Sequence, residues 1–349
     1  MKTKILEIDE NNIDKNLIKI AADVINSGGL VAFPTETVYG LGADSKNVTA
    51  IREIFRAKGR PSDNPLIVHV GDMDRVLDVV EFIPEVSQKL MEAFWPGPLT
   101  IIMKKKACIP KDTTAGLDTV GVRYPSNKVA IEFIRACGVS IAAPSANISG
   151  KPSPTRASHV IEDLKGRVDC IIVSNDSKVG LESTVIDVTT EIPVILRPGA
   201  ITKEQISEVI GDVLMDKGFL KDGDIPRAPG MKYRHYAPNG QVIIVRGRLD
   251  EVIERIKKEV EAYRENGKKV GILATQQTKS SYNLKDVEVV VLGDRENPET
   301  LASGLFRALR EFDENHVDVI LAEAVASDGI GVAVMNRMIK AAGFNIIEV

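Results

Sequence analysis

The sequence has 349 residues, which is long for one domain, and its 44% hydrophobic and 27% charged residues are typical of a globular protein. A net charge of −4 and a pI of about 5.8 do not favour tight, non-specific duplex binding, which usually requires a basic surface. No apolar run is long enough to cross a bilayer, and the N-terminus carries no apolar signal region. Three distant cysteines form no Cys/His metal spacing. We therefore expect a cytoplasmic protein with reduced thiols, no membrane partner and no zinc site.

Residues 1–211 alternate between helical and strand patterns, which predicts an α/β domain. The strands at 184–188 and 193–197 are separated too briefly for a parallel crossover, so this pair should be antiparallel and the large sheet mixed. Thr202 and Gln205 form a capping box at the start of the last helix. The predicted strands are 30–33, 66–70, 99–103, 120–124, 139–143, 170–173, 184–188 and 193–197, and the predicted helices are 13–25, 48–58, 84–94, 126–137, 155–164 and 203–210.

A connector, residues 212–240, is rich in glycine and proline and has no apolar periodicity. Its segment MKYRHYAP (231–238) is either a solvated basic linker or, in the sharper interpretation, a lid over a nucleotide in the active site. Residues 241–349 alternate strand and helix again, which predicts a smaller three-layer, Rossmann-like α/β domain with a parallel sheet. Its first strand leads into Arg246-Gly247-Arg248, which is neither GxGxxG nor a P-loop, so we assign no nucleotide there. The predicted elements are strands 241–246, 269–274, 287–292 and 317–323 and helices at 250–265, from Pro298, and near 330–342.

Cations cluster in RAKGRPSDNPLIVH (56–69), at a helix end and the turn that follows it. Arg56 can simply complement the helix dipole. Lys58 and Arg60 lie in a turn made rigid by glycine and proline and followed by Asn64, and fixed cations beside amide donors suit a polyphosphate.

Two polar residues interrupt strands that are otherwise apolar. His69 lies in such a strand, where a histidine is more often a satisfied core residue than a ligand. A cation in a buried strand is costly unless it is paired, so Arg123 should pair either with an internal carboxylate or with a bound one.

Four further segments place small or polar residues at strand ends, where α/β proteins usually bind ligands. PTETVYGLG (34–42) offers hydroxyls and a carboxylate, although this segment alone favours the alternative of a capped turn leading into a helix. APSANISGKPSPT (143–155) lacks bulky side chains, so a ligand could approach its backbone closely. ESTVID (182–187) and LRPG (196–199) are weak signals when each is taken alone.

Seven segments occur in the order found in the YrdC-type threonylcarbamoyl-AMP synthases, in their long two-domain form, which this sequence therefore resembles: PTETVYGLG, KGRPSDNPLIVH, GVRYP, APSANISGKPSPT, ESTVID, LRPG and PGMKYRHYAP. The C-terminal part is similar more loosely, most clearly in GIGVAVMNRMIKAA (329–342). The resemblance implies a YrdC-like catalytic domain that makes L-threonylcarbamoyladenylate from L-threonine, bicarbonate and ATP, with release of pyrophosphate. This is the first step of N6-threonylcarbamoyladenosine formation at position 37 of tRNAs that read ANN codons. The downstream tRNA threonylcarbamoyl-transfer machinery would be the partner.

The resemblance also implies roles for individual residues of this chain. L-Threonine would contact Thr37, His69, Arg123, the backbone of Ala143, and Ser183. ATP would contact Arg60, Asn64, Thr119, Ser145, Ser153, Arg197 and, from the connector, Tyr236. Lys58 and Arg60 would be the catalytic cations. Mg²⁺ would bridge the ATP phosphates, held by ligand oxygens and not by protein side chains.

Other functions fit parts of the sequence. An RNA-binding or ribosome-associated module could use the same basic groove, but the acidic pI and the aromatic content of 5% do not favour it. A related carbamoyl-adenylate enzyme that uses carbamoyl phosphate would carry zinc-finger-like cysteine clusters, which this sequence lacks. Residues 241–349 could have a purely structural role, and we expect them to dock on the first domain and help the connector close.

Overall fold

The computed structural model describes residues 2–216, 226–228 and 235–349, so most of the predicted connector lies outside the described residues. The described residues form two compact units. The second unit contains residues 235–349 together with two short segments from earlier in the chain, Gly150–Pro152 and Val179–Leu181. The first unit contains the remaining described residues.

The first unit contains an eleven-stranded sheet, and its mixed strand directions agree with the large mixed sheet predicted from the sequence. Its strands are β1 (Lys4–Glu7), β2 (Val31–Phe33), β3 (Gly40–Asp44), β4 (Ile67–His69), β5 (Leu99–Lys104), β6 (Thr119–Arg123), β7 (Ile141–Ala143), β8 (Cys170–Val173), β9 (Thr184–Asp187), β10 (Val194–Arg197) and β11 (Leu214–Met215). They lie in the order β1-β8-β2-β3-β7-β4-β6-β5-β9-β10-β11. The predicted antiparallel pairing of β9 with β10 is confirmed, with Val194 opposite Asp187.

The helices of the first unit begin and end at residues with clear capping chemistry. The second helix starts at Asn47, whose side chain accepts a hydrogen bond from Ala50 N, and it ends at Gly59 in the left-handed conformation. The capping box of Thr202 and Gln205 is present. The helices are α1 (Lys15–Asn26), α2 (Val48–Lys58), α3 (Glu85–Phe94), α4 (Lys111–Thr114), α5 (Lys128–Cys137), α6 (Ala157–Leu164) and α7 (Lys203–Ile210), with a 3-10 turn at Met73–Asp78.

The two faces of this sheet differ in what covers them. On the first face, the side chains of Val68, Val122 and Ala142 join a core that includes residues of α2, α3, α6 and α7. On the second face, Phe33 and Ala143 pack with residues of α1 and α5 at one end of the sheet. We call this second face the site face, because several of the predicted ligand-binding residues lie there.

Strand β3 was not predicted, and the alternative of a capped turn leading from 34–42 into a helix is wrong. Residues 40–44 pair antiparallel with β2, and the following helix starts only at Val48. The cause is tertiary: a Cβ atom at Gly40 or Gly42 would lie 3.1 or 2.9 Å from the ring of Phe33. The strand forms through its pairing with β2 and β7, and the ring of Phe33 leaves no room for a side chain at these two glycines.

The second unit contains a parallel five-stranded sheet, as predicted, in the order β14-β13-β15-β12-β16. Residues of α8 pack on one face of the sheet, and Gly271 on the other face contacts Phe312 of α9, which gives three layers. The strands are β12 (Gln241–Arg246), β13 (Val270–Ala274), β14 (Glu288–Val291), β15 (Val319–Glu323) and β16 (Ile346–Glu348), and the helices are α8 (Leu249–Glu265), α9 (Pro298–Glu314) and α10 (Gly331–Ala341), with a 3-10 turn at Lys279–Tyr282. Strands β16, β1 and β11 were not predicted from the sequence. Within the described parts of the chain, every helix is too short or too polar to span a bilayer.

Candidate active site

Four of the predicted site residues lie on the site face, on three neighbouring strands. Thr119 and Arg123 alternate along β6 with two valines that belong to the main core, so their side chains point to the opposite face. His69 of β4 lies directly beside Arg123 in the parallel register. Ala143 of β7 pairs with Ile67 of β4. Distant motifs are therefore brought together by strand pairing.

Arg123 is buried and has partners from the strand-end segment 34–42. Its Nη1 donates to Thr37 Oγ1 at 2.8 Å, and its Nη2 lies 2.6 Å from Glu36 Oε1. Its Nε donates weakly to the carbonyl oxygen of Gly97 at 3.4 Å. The sequence left open whether Arg123 pairs with an internal or a bound carboxylate. In the structure its partner is the internal carboxylate of Glu36, which was predicted only as the carboxylate that segment 34–42 offers at a strand end.

The Glu36–Arg123 pair is close but incompletely hydrogen-bonded. Neither carboxylate oxygen of Glu36 has a hydrogen-bond partner among the described residues, and the same holds for Arg123 Nη2. The two groups are thus within ion-pair distance without hydrogen-bond alignment. The side-chain amide oxygen of Asn64 is also buried without a partner in the described part of the chain. Buried polar atoms are usually satisfied, so these atoms indicate where a ligand could supply what the protein does not.

His69 is buried beside Arg123 and has the properties of a neutral imidazole. Its Nδ1 lies 3.2 Å from the carbonyl oxygen of Ile67, and its ring meets that of Phe33 edge to face at 5.9 Å. Burial and, next, the positive charge of Arg123 lower the pKa of His69 to about 3. At neutral pH this side chain can orient a ligand through a hydrogen bond, but it adds no charge.

Lys58 is 2% exposed and is directed at the loop that follows β7. Its Nζ donates to the backbone carbonyl oxygens of Ser145 and Asn147, the latter at 2.6 Å. The hydroxyl of Ser145 donates to Asn147 Oδ1 at 2.5 Å, and the backbone of Ser149 returns a hydrogen bond to the carbonyl oxygen of Lys58. Lys58 therefore fixes the backbone around Ser145, a predicted ATP contact.

Arg60 lies in the turn after α2, where Gly59 has a φ of 61°. Its Nη2 donates to the carbonyl oxygens of Asn64 at 3.2 Å and Pro65 at 3.4 Å, and its guanidinium lies 5.6 Å from the centre of the Phe55 ring. These contacts hold the cation against its own turn. Arg60 and Asn64, predicted separately as ATP contacts, are thus neighbours.

Ser183 and Arg197 also lie together. Arg197 Nη2 donates to Ser183 O at 2.9 Å and to Ser183 Oγ at 3.1 Å. Ser183 Oγ lies 2.8 Å from Thr100 Oγ1 on β5. Gly199 permits this approach, because a Cβ atom there would lie 2.3 Å from Thr184 N. Ser183, which is predicted to bind threonine, is therefore hydrogen-bonded to Arg197, which is predicted to bind ATP.

The remaining predicted ATP contacts have different surroundings. Ser153 is buried and donates to Glu182 Oε1 at 2.5 Å. Tyr236 lies in the second unit, where its ring packs against Phe306 at 5.2 Å and the guanidinium of Arg337 lies 5.9 Å from its centre. The sequence analysis had placed Tyr236 over a nucleotide, and that contact stays a prediction.

Within the connector, the described residues 226–228 belong to the first unit, and two of them contact its site face. Ala228 is fully buried and packs with Ile67, Ile102 and Val185. Arg227 Nη1 lies 3.0 Å from Asp187 Oδ2. The other lid residues predicted from the sequence, in 231–234, lie outside the described residues. Within the described ranges no three histidine, cysteine or acidic side chains are grouped as a metal site.

Comparison with known protein families matches two models to almost the whole chain. The model for Sua5, YciO and YrdC proteins, described as telomere recombination, matches residues 23–199. The model described as threonylcarbamoyl-AMP synthase, C-terminal domain, matches residues 201–343.

Individual relatives are similar over their full length. A threonylcarbamoyl-AMP synthase of Pyrococcus abyssi is 48% identical, with 99% of this chain and 100% of the relative covered. One of Bacillus subtilis is 47% identical, with both chains fully covered. The crystal structure of P. abyssi Sua5 complexed with L-threonine is 47% identical, superimposes with a TM-score of 0.94, and covers 99% of this chain and all of its own.

Proposed function

This chain belongs to the threonylcarbamoyl-AMP synthase family, and we propose that it is a nucleotidyltransferase that makes L-threonylcarbamoyladenylate from L-threonine, bicarbonate and ATP. The family read from the seven motifs is thereby confirmed. The observation that carries the proposal for this chain is the buried, incompletely satisfied guanidinium of Arg123 among the predicted threonine contacts.

We assign L-threonine to the part of the site face around Arg123. A guanidinium can hold a carboxylate through two parallel hydrogen bonds, so Arg123 would bind the amino-acid carboxylate. Thr37 and Ser183 offer hydroxyls, neutral His69 offers a ring nitrogen, and Ala143 offers its backbone. Hydrogen bonds to the substrate hydroxyl would reject valine strongly.

We assign ATP to the neighbouring cations and small polar residues. Arg60 and Arg197 would neutralise phosphate charge, and Lys58 would shape the loop that carries Ser145. The unsatisfied Asn64 Oδ1 would gain a donor from the nucleotide. The other proposed contacts are Thr119, Ser153 and Tyr236.

The chemistry needs positioning and charge neutralisation more than covalent help. The amine of L-threonine captures bicarbonate as a carbamate and releases water. A carbamate oxygen then attacks the α-phosphorus of ATP, and pyrophosphate leaves. ATP is the substrate, and Mg²⁺ would bridge its phosphates. The proposed phosphate contacts Arg60 and Arg197 are cations, so Mg²⁺ would be held by phosphate oxygens and water.

The connector, residues 212–240, would close over this site as a lid between a catalytic domain, 1–211, and a C-terminal domain, 241–349. The burial of Ala228 and the ion pair of Arg227 on the site face support this arrangement. We further propose that the adenylate passes to a tRNA-modifying transferase in the cytoplasm. The net charge of −4 supports the absence of tight nucleic-acid binding by this chain itself.

The test is an omission experiment. Purified protein is incubated with ATP and Mg²⁺, and L-threonine and bicarbonate are left out in turn. We expect pyrophosphate and an adenylate of threonylcarbamoyl mass only when both are present. Pyrophosphate release that does not depend on L-threonine would contradict the proposed substrate.

A further inference from the structure

The first step of the proposed reaction requires a proton acceptor. At neutral pH the amino group of L-threonine is an ammonium. It must lose one proton before its nitrogen can form the bond to the bicarbonate carbon. The free amine and bicarbonate then give the carbamate and one water, so the step releases one proton in total. A side chain that accepts this proton must lie beside the bound amino group.

Glu36 has the position and the unused capacity for this role. It is 7% exposed, and neither of its oxygens has a hydrogen-bond partner among the described residues. It is adjacent in sequence to Thr37 and lies 2.6 Å from Arg123, both proposed to contact L-threonine. A buried carboxylate without hydrogen bonds is costly, because its lost hydration is not replaced.

The charges of the pair match those of an amino acid. An L-threonine molecule carries a carboxylate and an ammonium group that are both attached to its α-carbon. Arg123 and Glu36 are both buried and present the two complementary charges side by side. A ligand that is only an anion would leave Glu36 unsatisfied and repelled, whereas a zwitterion satisfies both groups.

We propose that Glu36 binds the ammonium group of L-threonine and accepts the proton that this group loses before carbamate formation. This inference rests on the proposed function and adds a catalytic residue to it. In the step, the N–H bond breaks, its electron pair stays on nitrogen, and the proton moves to a Glu36 oxygen. The amine nitrogen then attacks the bicarbonate carbon, and the bicarbonate hydroxyl leaves as water with a second proton from the nitrogen.

The first test measures recognition without catalysis, by calorimetric binding of two ligands. The ligands are L-threonine and its deaminated analogue, 2,3-dihydroxybutanoate of matched configuration, in which a hydroxyl replaces the ammonium. We expect the natural protein to prefer L-threonine by about 100-fold, since losing a buried charged partner costs several kcal/mol. In Glu36→Gln this preference should fall to a few-fold. An unchanged preference in the variant would overturn the proposal.

The second test measures proton transfer through the pH profile. We expect the turnover of Glu36→Gln to be about 100-fold lower at neutral pH, the size of effect usual for a lost general base. The deficit should shrink as pH rises toward the pKa of the ammonium, because solvent then supplies the free amine. A deficit that stays constant with pH is what a merely structural role of Glu36 predicts, and it would contradict proton acceptance.

Glu323→Gln is the matched control, because Glu323 is a buried carboxylate in the second unit with an arginine partner of its own. It should leave the ligand preference and the pH profile unchanged. The two proposals fail in different ways. If the natural protein released no threonine-dependent pyrophosphate, the proposed function would fail, while the calorimetric preference would still decide whether Glu36 reads an ammonium group.

Discussion

Glu36 in the first unit and Glu323 in the second are both buried carboxylates beside an arginine, but their hydrogen bonding differs. Glu323 is 1% exposed, and its Oε2 accepts from Arg295 at 2.9 Å and from Thr275 at 3.0 Å. Its Oε1 accepts from the hydroxyl of Tyr282 at 2.8 Å. Glu36 has one close cation and no aligned donor in the described part of the chain.

This difference separates a structural network from a binding site. The second-unit network is satisfied internally; burial and then the charge of Glu323 raise the pKa of Tyr282, so the phenol remains a donor. On the site face of the first unit Glu36 and Arg123 have unused hydrogen-bonding capacity, and so does Asn64 in the turn after α2. A protein tolerates that cost where a ligand removes it.

Among the variants that test the contrast between the two glutamates, Arg123→Ala should have the largest effect on stability and on L-threonine binding. Removing one partner of a buried ion pair leaves the other uncompensated, which costs about 3–5 kcal/mol of stability. We expect urea unfolding at a lower midpoint and no detectable L-threonine binding by calorimetry.

Arg295→Ala is the matched control for Arg123→Ala, because it removes the arginine that faces Glu323. It should lower stability as well but leave the affinity for L-threonine within about twofold per folded molecule, a binding change of only a few tenths of a kcal/mol. If both variants lost L-threonine binding, the Glu36–Arg123 pair would not be distinguished from the Glu323–Arg295 pair as the binding site.

Arg60→Ala should weaken the use of ATP and not the binding of L-threonine. The guanidinium is held in its turn by the carbonyl oxygens of Asn64 and Pro65, so its removal should change charge without unfolding the face around Arg123. We expect kcat/KM for ATP to fall about 100-fold, which corresponds to about 3 kcal/mol. Steady-state pyrophosphate release measures this, and full turnover in the folded variant would refute a role for the cationic turn.

The two glutamates should respond differently to the same substitution. Glu323→Gln disrupts a satisfied network and should cost about 2–3 kcal/mol. Glu36→Gln leaves Arg123 its hydrogen bonds to Thr37 and Gly97 and places an amide oxygen where the carboxylate was, so it should cost less than Arg123→Ala, about 1 kcal/mol. Equilibrium urea unfolding of both variants gives the two values, and equal losses would show that hydrogen-bond satisfaction does not distinguish the sites.

The smallest effect concerns pH and His69. Its pKa falls from 6.5 in the unfolded chain to about 3 in the fold, so below pH 6.5 the unfolded state binds the extra proton. Its contribution to stability is therefore intact above pH 6.5 and decreases as pH falls toward 3. Between pH 7.5 and 5 this amounts to about 2 kcal/mol.

His69→Gln isolates that contribution, because glutamine does not titrate. Unfolding free energies are measured at both pH values in the natural protein and in the variant. The variant should lose about 2 kcal/mol less on acidification. The same loss in both proteins would mean that His69 is protonated in the folded state.

Local chemistry made much of the fold predictable from the sequence. Gly59 and the Thr202–Gln205 box act within a few residues, so the C-terminus of α2 and the N-terminus of α7 could be predicted. Strand β3 could not, because its glycines have low strand propensity and the strand forms through pairing with β2 and β7.

The candidate site shows the same limit. The motif order indicated which residues belong to it, but Glu36 and Arg123 meet only because distant strands pair. Likewise, a sequence shows that Lys58 ends a helix but not that its ammonium group donates to the carbonyl oxygens of Ser145 and Asn147. Contacts between segments far apart in the chain leave no local pattern in the sequence, so they could not be predicted.

The most direct test of the central claim, that the incompletely satisfied pair on the site face is the L-threonine site, is a crystal structure of this protein with L-threonine. We predict two guanidinium nitrogens of Arg123 on the ligand carboxylate and a Glu36 oxygen within hydrogen-bond distance of the ammonium nitrogen. L-Threonine bound elsewhere, or bound with its ammonium directed away from Glu36, would contradict the account.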